Sequence, residues 1–372
     1  MLVLYYIFVF FIYRYNTAIM MLQSLFLISA MFDINWFYFG IEKFKITISR
    51  NIIIKVLSLL LVFWVVKSRG DLWKYTLIMS GSTLISQIYL WIFLRKYVLF
   101  KKPTFKGVIE NLKPCLILFI PVIAYSIYRV MDKTMIGYFS NTVQLGNFEG
   151  AEKIINIPIS IITALGTVML PYMSRSDSSG FQQKIMDTFR LSFFMIVPIC
   201  FGLFVISDDF CAIFFGSEFS LTSNIIKLLL ITVVFSSISN IIRTSYLIPK
   251  EFDYIYVNST ILGAVVNLTF NLLFIKKYGA YGACIGTIAA EFFVMSYQVF
   301  KTKEKIDYVR MLKILCGYLF KSLIFAVLII LVGKFIENLF EKIIIQIIFS
   351  VLIYIILNYK YIYYDFLGRG HR

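Results

Sequence analysis

Histidine is all but absent: the only one in 372 residues is His371, at the extreme C-terminus. General-base and metal chemistry through imidazole therefore has nothing to work with in the body of the chain. The five cysteines, Cys115, Cys200, Cys211, Cys284 and Cys316, show no C-x-x-C spacing and fall in or beside apolar stretches. They read as small packing residues, not as a disulfide or metal set. No G-x-x-x-x-G-K-[ST] loop is present, which excludes ATP hydrolysis by that route. The tripeptide Glu251-Phe252-Asp253 is the nearest approach to a glycosyltransferase acidic pair, and it stands alone in a short turn. Long polar segments are missing as well, so no soluble domain hangs on either side and the function must lie among helices.

Apolar residues fill the chain instead. Hydrophobic residues make up 60% of it and the mean hydropathy is +0.84. A single soluble core of this size cannot hold that much apolar surface. A membrane-spanning helix needs about 20 apolar residues, because it rises about 1.5 Å per residue through a hydrocarbon layer of roughly 30 Å. The runs predict spans near 18–36, 52–66, 75–94, 114–139, 148–170, 189–206, 225–247, 255–275, 281–300, 312–333 and 343–363. A further segment, Met1 to Tyr13, is too short to cross and lacks the basic start and small-residue cleavage site of a signal peptide. The fold class expected is an all-α polytopic membrane protein with about 11–12 transmembrane segments.

Charge orients the spans. The formal net charge is +16, from 36 Lys and Arg against 20 Asp and Glu. One set of alternate loops, including 95–113 and 301–313 and the C-terminal tail, holds 21 of the basic residues; the opposite set holds eight. The positive-inside rule puts the first set and the C-terminus in the cytoplasm, with Ser140–Asn147 and Ser207–Asn224 outside. The charge thus faces anionic lipid, and a nucleic-acid partner is not expected.

The unusual charges are those within spans, where they cost at least about 2.5–3.5 kcal/mol at a helix centre and so face protein or water. Arg129, Asp132 and Lys133 share one helix face at i, i+3, i+4, with Tyr125 a turn away. That face either lines a cavity, where Arg129 and Lys133 can meet a diphosphate, or closes an internal ion pair through Asp132. Glu149 and Lys153 at i, i+4 predict a rim salt bridge. Arg243 either snorkels or reaches a cavity floor. Asp33 needs a nearby partner, and Glu291 is a candidate for binding a coupling H⁺ or Na⁺. Gly282, Gly286 and Ala290 form a small-residue stripe that lets a neighbouring helix approach closely.

Four stretches carry a family resemblance. These are Arg129-Val-Met-Asp132-Lys133-Thr-Met-Ile-Gly137 with Leu145-Gly146-Asn-Phe-Glu149-Gly-Ala-Glu152-Lys153-Ile154; Val168-Met-Leu-Pro171-Tyr-Met-Ser174-Arg175; Gly279-Ala-Tyr-Gly282-Ala-Cys-Ile-Gly286-Thr-Ile-Ala-Ala-Glu291; and Phe32-Asp33-Ile-Asn-Trp36-Phe-Tyr-Phe39-Gly40-Ile-Glu42-Lys-Phe44. Taken in their order along the chain they resemble the Wzx-type oligosaccharide flippases, a branch of the superfamily that also holds multidrug exporters and peptidoglycan-precursor flippases. The resemblance implies a two-lobed helical bundle. It divides the chain into an incomplete first lobe (1–94), a basic inter-lobe loop (95–113), a second six-helix lobe (114–300) and two extra C-terminal helices with a short tail (301–372). Against that plan the chain starts inside the third helix. The function implied is ion-gradient-driven flipping of an undecaprenyl-diphosphate-linked repeat unit for O-antigen, capsule or exopolysaccharide assembly. The setting is the bacterial inner membrane; the partners are the lipid-linked substrate, membrane lipid, and a polysaccharide polymerase with its chain-length machinery. No cofactor, metal or catalytic residue is expected. The substrate residues would be Tyr125, Arg129, Lys133 and Arg243; the ion-pair or coupling residues would be Asp33, Asp132, Glu149, Lys153 and Glu291. The alternatives are a drug or cation antiporter of the same superfamily, a truncated remnant, and a membrane polymerase or glycosyltransferase.

Overall fold

A computed structural model describes residues 2–12, 16–41, 43–99, 104–110, 112, 130–174, 180–216 and 219–359. Among them the regular elements are helices, and ten are long and apolar enough to cross a membrane. Ten of the eleven expected spans coincide with these; in the remaining one, 114–139, only 130–139 is described, and it is helical. The Met1–Tyr13 segment contains the short apolar helix α1 (Leu2–Ile7), running on as a wider turn through Ile12.

The chain divides into two compact units, Met1–Ile109 and Glu110–Arg372. In the first unit α2 (Thr17–Met31) and α4 (Phe44–Val65) both pack on α5 (Leu72–Leu94), and the short α3 (Asn35–Gly40) bridges α2 to α4. The small core comprises Ile34, Tyr38, Leu90 and Leu94. Its one side-chain polar group is paired, the Tyr38 hydroxyl donating to the Leu90 carbonyl at 2.7 Å; at the surface the Trp91 indole donates to the Phe32 carbonyl at 3.0 Å. In hydrocarbon such pairing is required, because no water can replace it.

The second unit holds α6 (130–139), α7 (Thr142–Ser174), α8 (Phe181–Phe214), α9 (Ser220–Ile242), α10 (Asp253–Tyr278), α11 (Ala280–Thr302), α12 (Tyr308–Gly333) and α13 (Leu339–Leu357). Helix α9 is the most buried of the spans and lies between α7, α8 and α11. Helices α10 and α11 pack most closely. The small-residue stripe explains why: a side chain at Gly282 would collide with the α10 backbone at Phe274, and one at Gly286 with Asn271. Helix α12 packs on α8, and α13 on both. Asn338 starts α13 by accepting from the Phe340 amide at 3.0 Å, and Asp307 starts α12 by accepting from Arg310 at 3.0 Å.

Two expectations change. Helices α7 and α8 are 33 and 34 residues long, about 50 Å each, and outrun the hydrocarbon layer. Hydropathy sees only their apolar middles, whereas the helices run on into polar ends, α7 through Gly146 and Gly150 at one end and Pro171 at the other. The expected outside loop Ser207–Asn224 is therefore mostly helix, with α8 reaching Phe214 and α9 beginning at Ser220. Arg50, counted among loop charges, lies inside α4 and is 3% exposed.

Candidate functional site

Asp132 is the most buried acid described, 8% exposed within α6. Both carboxylate oxygens are engaged from distant helices. Asn271 of α10 donates to Oδ1 at 2.5 Å, and the Thr287 hydroxyl of α11 donates to Oδ2 at 2.6 Å. Asn271 also donates to the side-chain oxygen of Asn267, one turn away, at 3.0 Å. Asn267 and Asn271 are fully buried, and the Asn271 Oδ1 atom and the Asn267 amide nitrogen remain without a partner. Four neutral or anionic oxygen-bearing side chains thus converge between α6, α10 and α11.

Of the two partners weighed for an internal ion pair with Asp132, Arg129 lies outside the described residues, and Lys133 does not pair with it. Consecutive helical residues differ by about 100° in direction, so while Asp132 faces α10 and α11, Lys133 faces α7. There its Nζ meets Glu152 at 2.9 Å. Glu152 also takes the role foreseen for its neighbours: Glu149 and Lys153 are both exposed, and the ion pair on this stretch is Lys133 with Glu152.

Glu291 lies one turn beyond Thr287 on α11 and accepts from the Ser236 hydroxyl of α9 at 2.7 Å. Asp132, Glu152, Glu291, Asn156, Thr232, Ser236 and Thr287 line a cleft of about 50 Å³ between α6, α7, α9 and α11. That volume holds a few waters or one small ion. Among the described residues no group of three His, Cys, Asp or Glu is placed to hold a metal ion. A proton, or a hard monovalent cation satisfied by amide, hydroxyl and carboxylate oxygens, suits this chemistry.

The other predicted residues are dispersed. Arg243 is half-buried in the wide turn that ends α9; its guanidinium lies 5.2 Å from the Tyr256 ring centre and donates to the Tyr256 hydroxyl at 3.4 Å. Asp33 is exposed and organises the start of α3, accepting from the Asn35 amide at 2.9 Å and from its side chain at 2.7 Å. Tyr125 and Arg129 lie outside the described residues.

Arg50, expected as a loop charge, is instead a buried polar centre. Its guanidinium donates to the Ser86 carbonyl at 2.9 Å, to Asn35 at 2.9 Å, to Asn51 at 2.8 Å and to Gln87 at 3.3 Å, while Nε is buried without a partner. It forms the polar centre of the first unit. The available signal was Thr47, Arg50 and Asn51 in a run that is otherwise helix-forming, with no proline or glycine between Ile41 and Val66 to require a loop.

Residues 1–177 match the family described as polysaccharide biosynthesis protein. Over 283 residues the chain is 25% identical to a putative O-antigen transporter of Shigella dysenteriae, covering 75% of this chain and 71% of that protein. Over 191 residues it is 27% identical to a probable low-salt glycan biosynthesis flippase of Haloferax volcanii, covering 50% of this chain and 40% of that one. Among solved structures, the lipid II flippase MurJ in an inward closed conformation superposes with a TM-score of 0.70 at 21% identity, over 86% of this chain and 66% of that chain. At that identity the likeness speaks for the fold.

Proposed function

We propose that this chain, a Wzx-type polysaccharide flippase by resemblance and not an enzyme, carries a lipid-linked oligosaccharide from one leaflet of a bacterial inner membrane to the other. The substrate we assign is an undecaprenyl-diphosphate-linked repeat unit, consumed afterwards by a polymerase. The sugar and diphosphate would pass between helices while the lipid tail stays in the bilayer.

The drive we assign is an ion gradient acting at Asp132. The observation that carries this part is the convergence of Asn271, Thr287 and Asp132 from three helices on one buried carboxylate. A charge in that position changes the packing of α6 against α10 and α11 when it is neutralised or paired, which is what a coupling site must do.

The test uses the full-length gene in a flippase-null strain. Asp132→Asn keeps the size of the side chain and removes its charge; one acceptor oxygen becomes an NH₂ donor, to which the Thr287 hydroxyl can turn its own oxygen. Membrane levels of the protein should match wild type while surface polymer is lost. Normal polymer from this variant would end the coupling assignment. Failure of the wild-type gene to restore polymer would instead end the flippase reading.

A further inference from the structure

The segment between α5 and the span expected from 114 carries an apolar face that no core absorbs. Residues 105–110 and 112 are helical. Thr104 starts this helix: its carbonyl accepts from the Val108 amide at 3.0 Å, and its hydroxyl oxygen accepts from the Gly107 amide at 3.3 Å. Pro103 and Pro114 bracket the segment in the sequence, and proline lacks the amide that a continuing helix would use. At about 1.5 Å per residue the stretch 104–112 measures about 13 Å, too short to cross hydrocarbon.

Phe105, Val108, Ile109 and Leu112 recur at i, i+3, i+4 and i+7. At about 100° per residue they fall on one stripe about 100° wide. Phe105 is 82% exposed and the other three are about half exposed, and none of them belongs to an apolar core among the described residues. Lys106 and Glu110 are exposed and stand off the stripe. Exposed apolar residues on the spans meet hydrocarbon by virtue of spanning. This helix does not span, so its stripe needs a cover of its own.

Charge identifies the cover. From Arg95 to Lys113 there are six basic residues, Arg95, Lys96, Lys101, Lys102, Lys106 and Lys113, against the single acid Glu110. Each lysine near an anionic lipid surface favours association by about fivefold. The tether keeps the helix at that surface. Only residues 95–103 separate Thr104 from the end of α5 at Leu94, at most about 30 Å of extended chain, and the next expected span begins at 114. An acidic protein would satisfy the lysines, but nothing holds one at this place, whereas the bilayer is always there.

We propose that the helix of 104–112 is an interfacial anchor for anionic phospholipid. It lies in the plane of the leaflet that the basic loops face, with its apolar stripe among the upper acyl chains and its lysines on the headgroup phosphates. The division of the chain into two compact units falls within it, between Ile109 and Glu110, so the connection from one unit to the other is pinned to the bilayer surface. The anchor uses none of the residues of the Asp132 cleft and does not depend on what the protein transports.

The experiment places tryptophan on this helix in the full chain, reconstituted in vesicles of phosphatidylcholine with about 30 mol% phosphatidylglycerol. Fluorescence beyond that of the four natural tryptophans is quenched from the hydrocarbon by brominated acyl chains and from water by acrylamide. Phe105→Trp and Ile109→Trp should be quenched by brominated lipid and protected from acrylamide, and Glu110→Trp should show the reverse. All three positions are exposed, so the fold is not at risk. In phosphatidylcholine alone, or with Lys101→Gln, Lys102→Gln and Lys106→Gln added, acrylamide quenching of Phe105→Trp should rise by at least about fivefold. Equal acrylamide quenching at Phe105→Trp and Glu110→Trp overturns the proposal. So does a stripe shielded from both quenchers, the mark of a protein contact, or brominated-lipid quenching that is unchanged without phosphatidylglycerol.

Discussion

Replacing Gly282 by alanine tests the packing of the second unit most directly. A Cβ at this position lies 2.5 Å from the carbonyl carbon and oxygen of Phe274, where ordinary contact begins at 3.4 Å. The obstacle is backbone, so no rotamer change relieves it, and α10 and α11 must part by about 1 Å. Overpacking of this kind costs about 1–3 kcal/mol, and the rigid obstacle places Gly282→Ala at the upper end. Gly286→Ala meets the Asn271 side chain instead, which can swing aside. It does so only by giving up its bond to Asp132, a charge-assisted hydrogen bond worth about 1.5–3 kcal/mol. Gly202 and Gly317 have nothing within 4 Å of a Cβ, and alanine there should stay within about 0.5 kcal/mol of wild type. A thiol-reactive dye provides the assay, because Cys284 is fully buried on α11 beside the contact and becomes reactive only on unfolding. The melting order should be Gly282→Ala lowest, then Gly286→Ala, with Gly202→Ala and Gly317→Ala level with wild type. Gly286→Ala should in addition lose polymer export out of proportion to its lost stability. Melting of Gly282→Ala at the wild-type temperature would refute the close approach of α10 and α11.

Three other outcomes can be measured. If Lys133 contacts the diphosphate during transport, Lys133→Ala lowers polymer export at normal protein levels, and adding Glu152→Gln does not restore it; rescue by the neutral pair would make the salt bridge purely structural. In a background stripped of its five cysteines, Ser140→Cys should react with an impermeant maleimide on intact cells and Lys303→Cys should not, and the opposite pattern would invert the topology. Asp71, which closes the capping box with Ser68 in the turn before α5, is held well below the usual carboxylate range by the Lys74 ammonium at 2.6 Å and then by the Lys67 and Ser68 amides. Its folded form favours the charge, so the stabilisation is complete above the unfolded value of about 3.9 and fades as pH falls toward the lower folded value. The melting difference between Asp71→Asn and wild type should therefore be constant from about pH 5 to 8 and shrink in stronger acid; a difference that grows on acidification would contradict the capping geometry.

The spans were legible because hydrocarbon imposes a length and an apolar run on any helix that crosses it, and both are local properties of sequence. The α10–α11 contact was legible for the same reason: glycine and alanine at every fourth position leave a smooth stripe whatever lies opposite. Helix ends were not, because beyond the apolar middle the chain continues helical for as long as nothing interrupts it, as α8 does to Phe214. Arg50 was misplaced by the same assumption, that a charge near a predicted boundary belongs to the loop.

What the sequence could not supply was partnership. It marked Asp132 and Lys133 as unusual on a correct physical ground, the cost of charge in a membrane, but where it paired Asp132 it looked only to the bases on its own helix, Arg129 and Lys133. Among the described residues the partners of Asp132 are Asn271, 139 positions away, and Thr287, 155 away. Neither is charged, so neither stood out against the polar background of its own helix. A buried charge announces itself in one sequence, whereas the neutral amides and hydroxyls that make its burial tolerable become meaningful only when the fold brings them to it. That asymmetry also shapes the function we assign. A lysine would neutralise Asp132 permanently, whereas the partners found among the described residues, an amide and a hydroxyl, hold the carboxylate in place and leave its charge to be cancelled by a proton or a cation that can come and go.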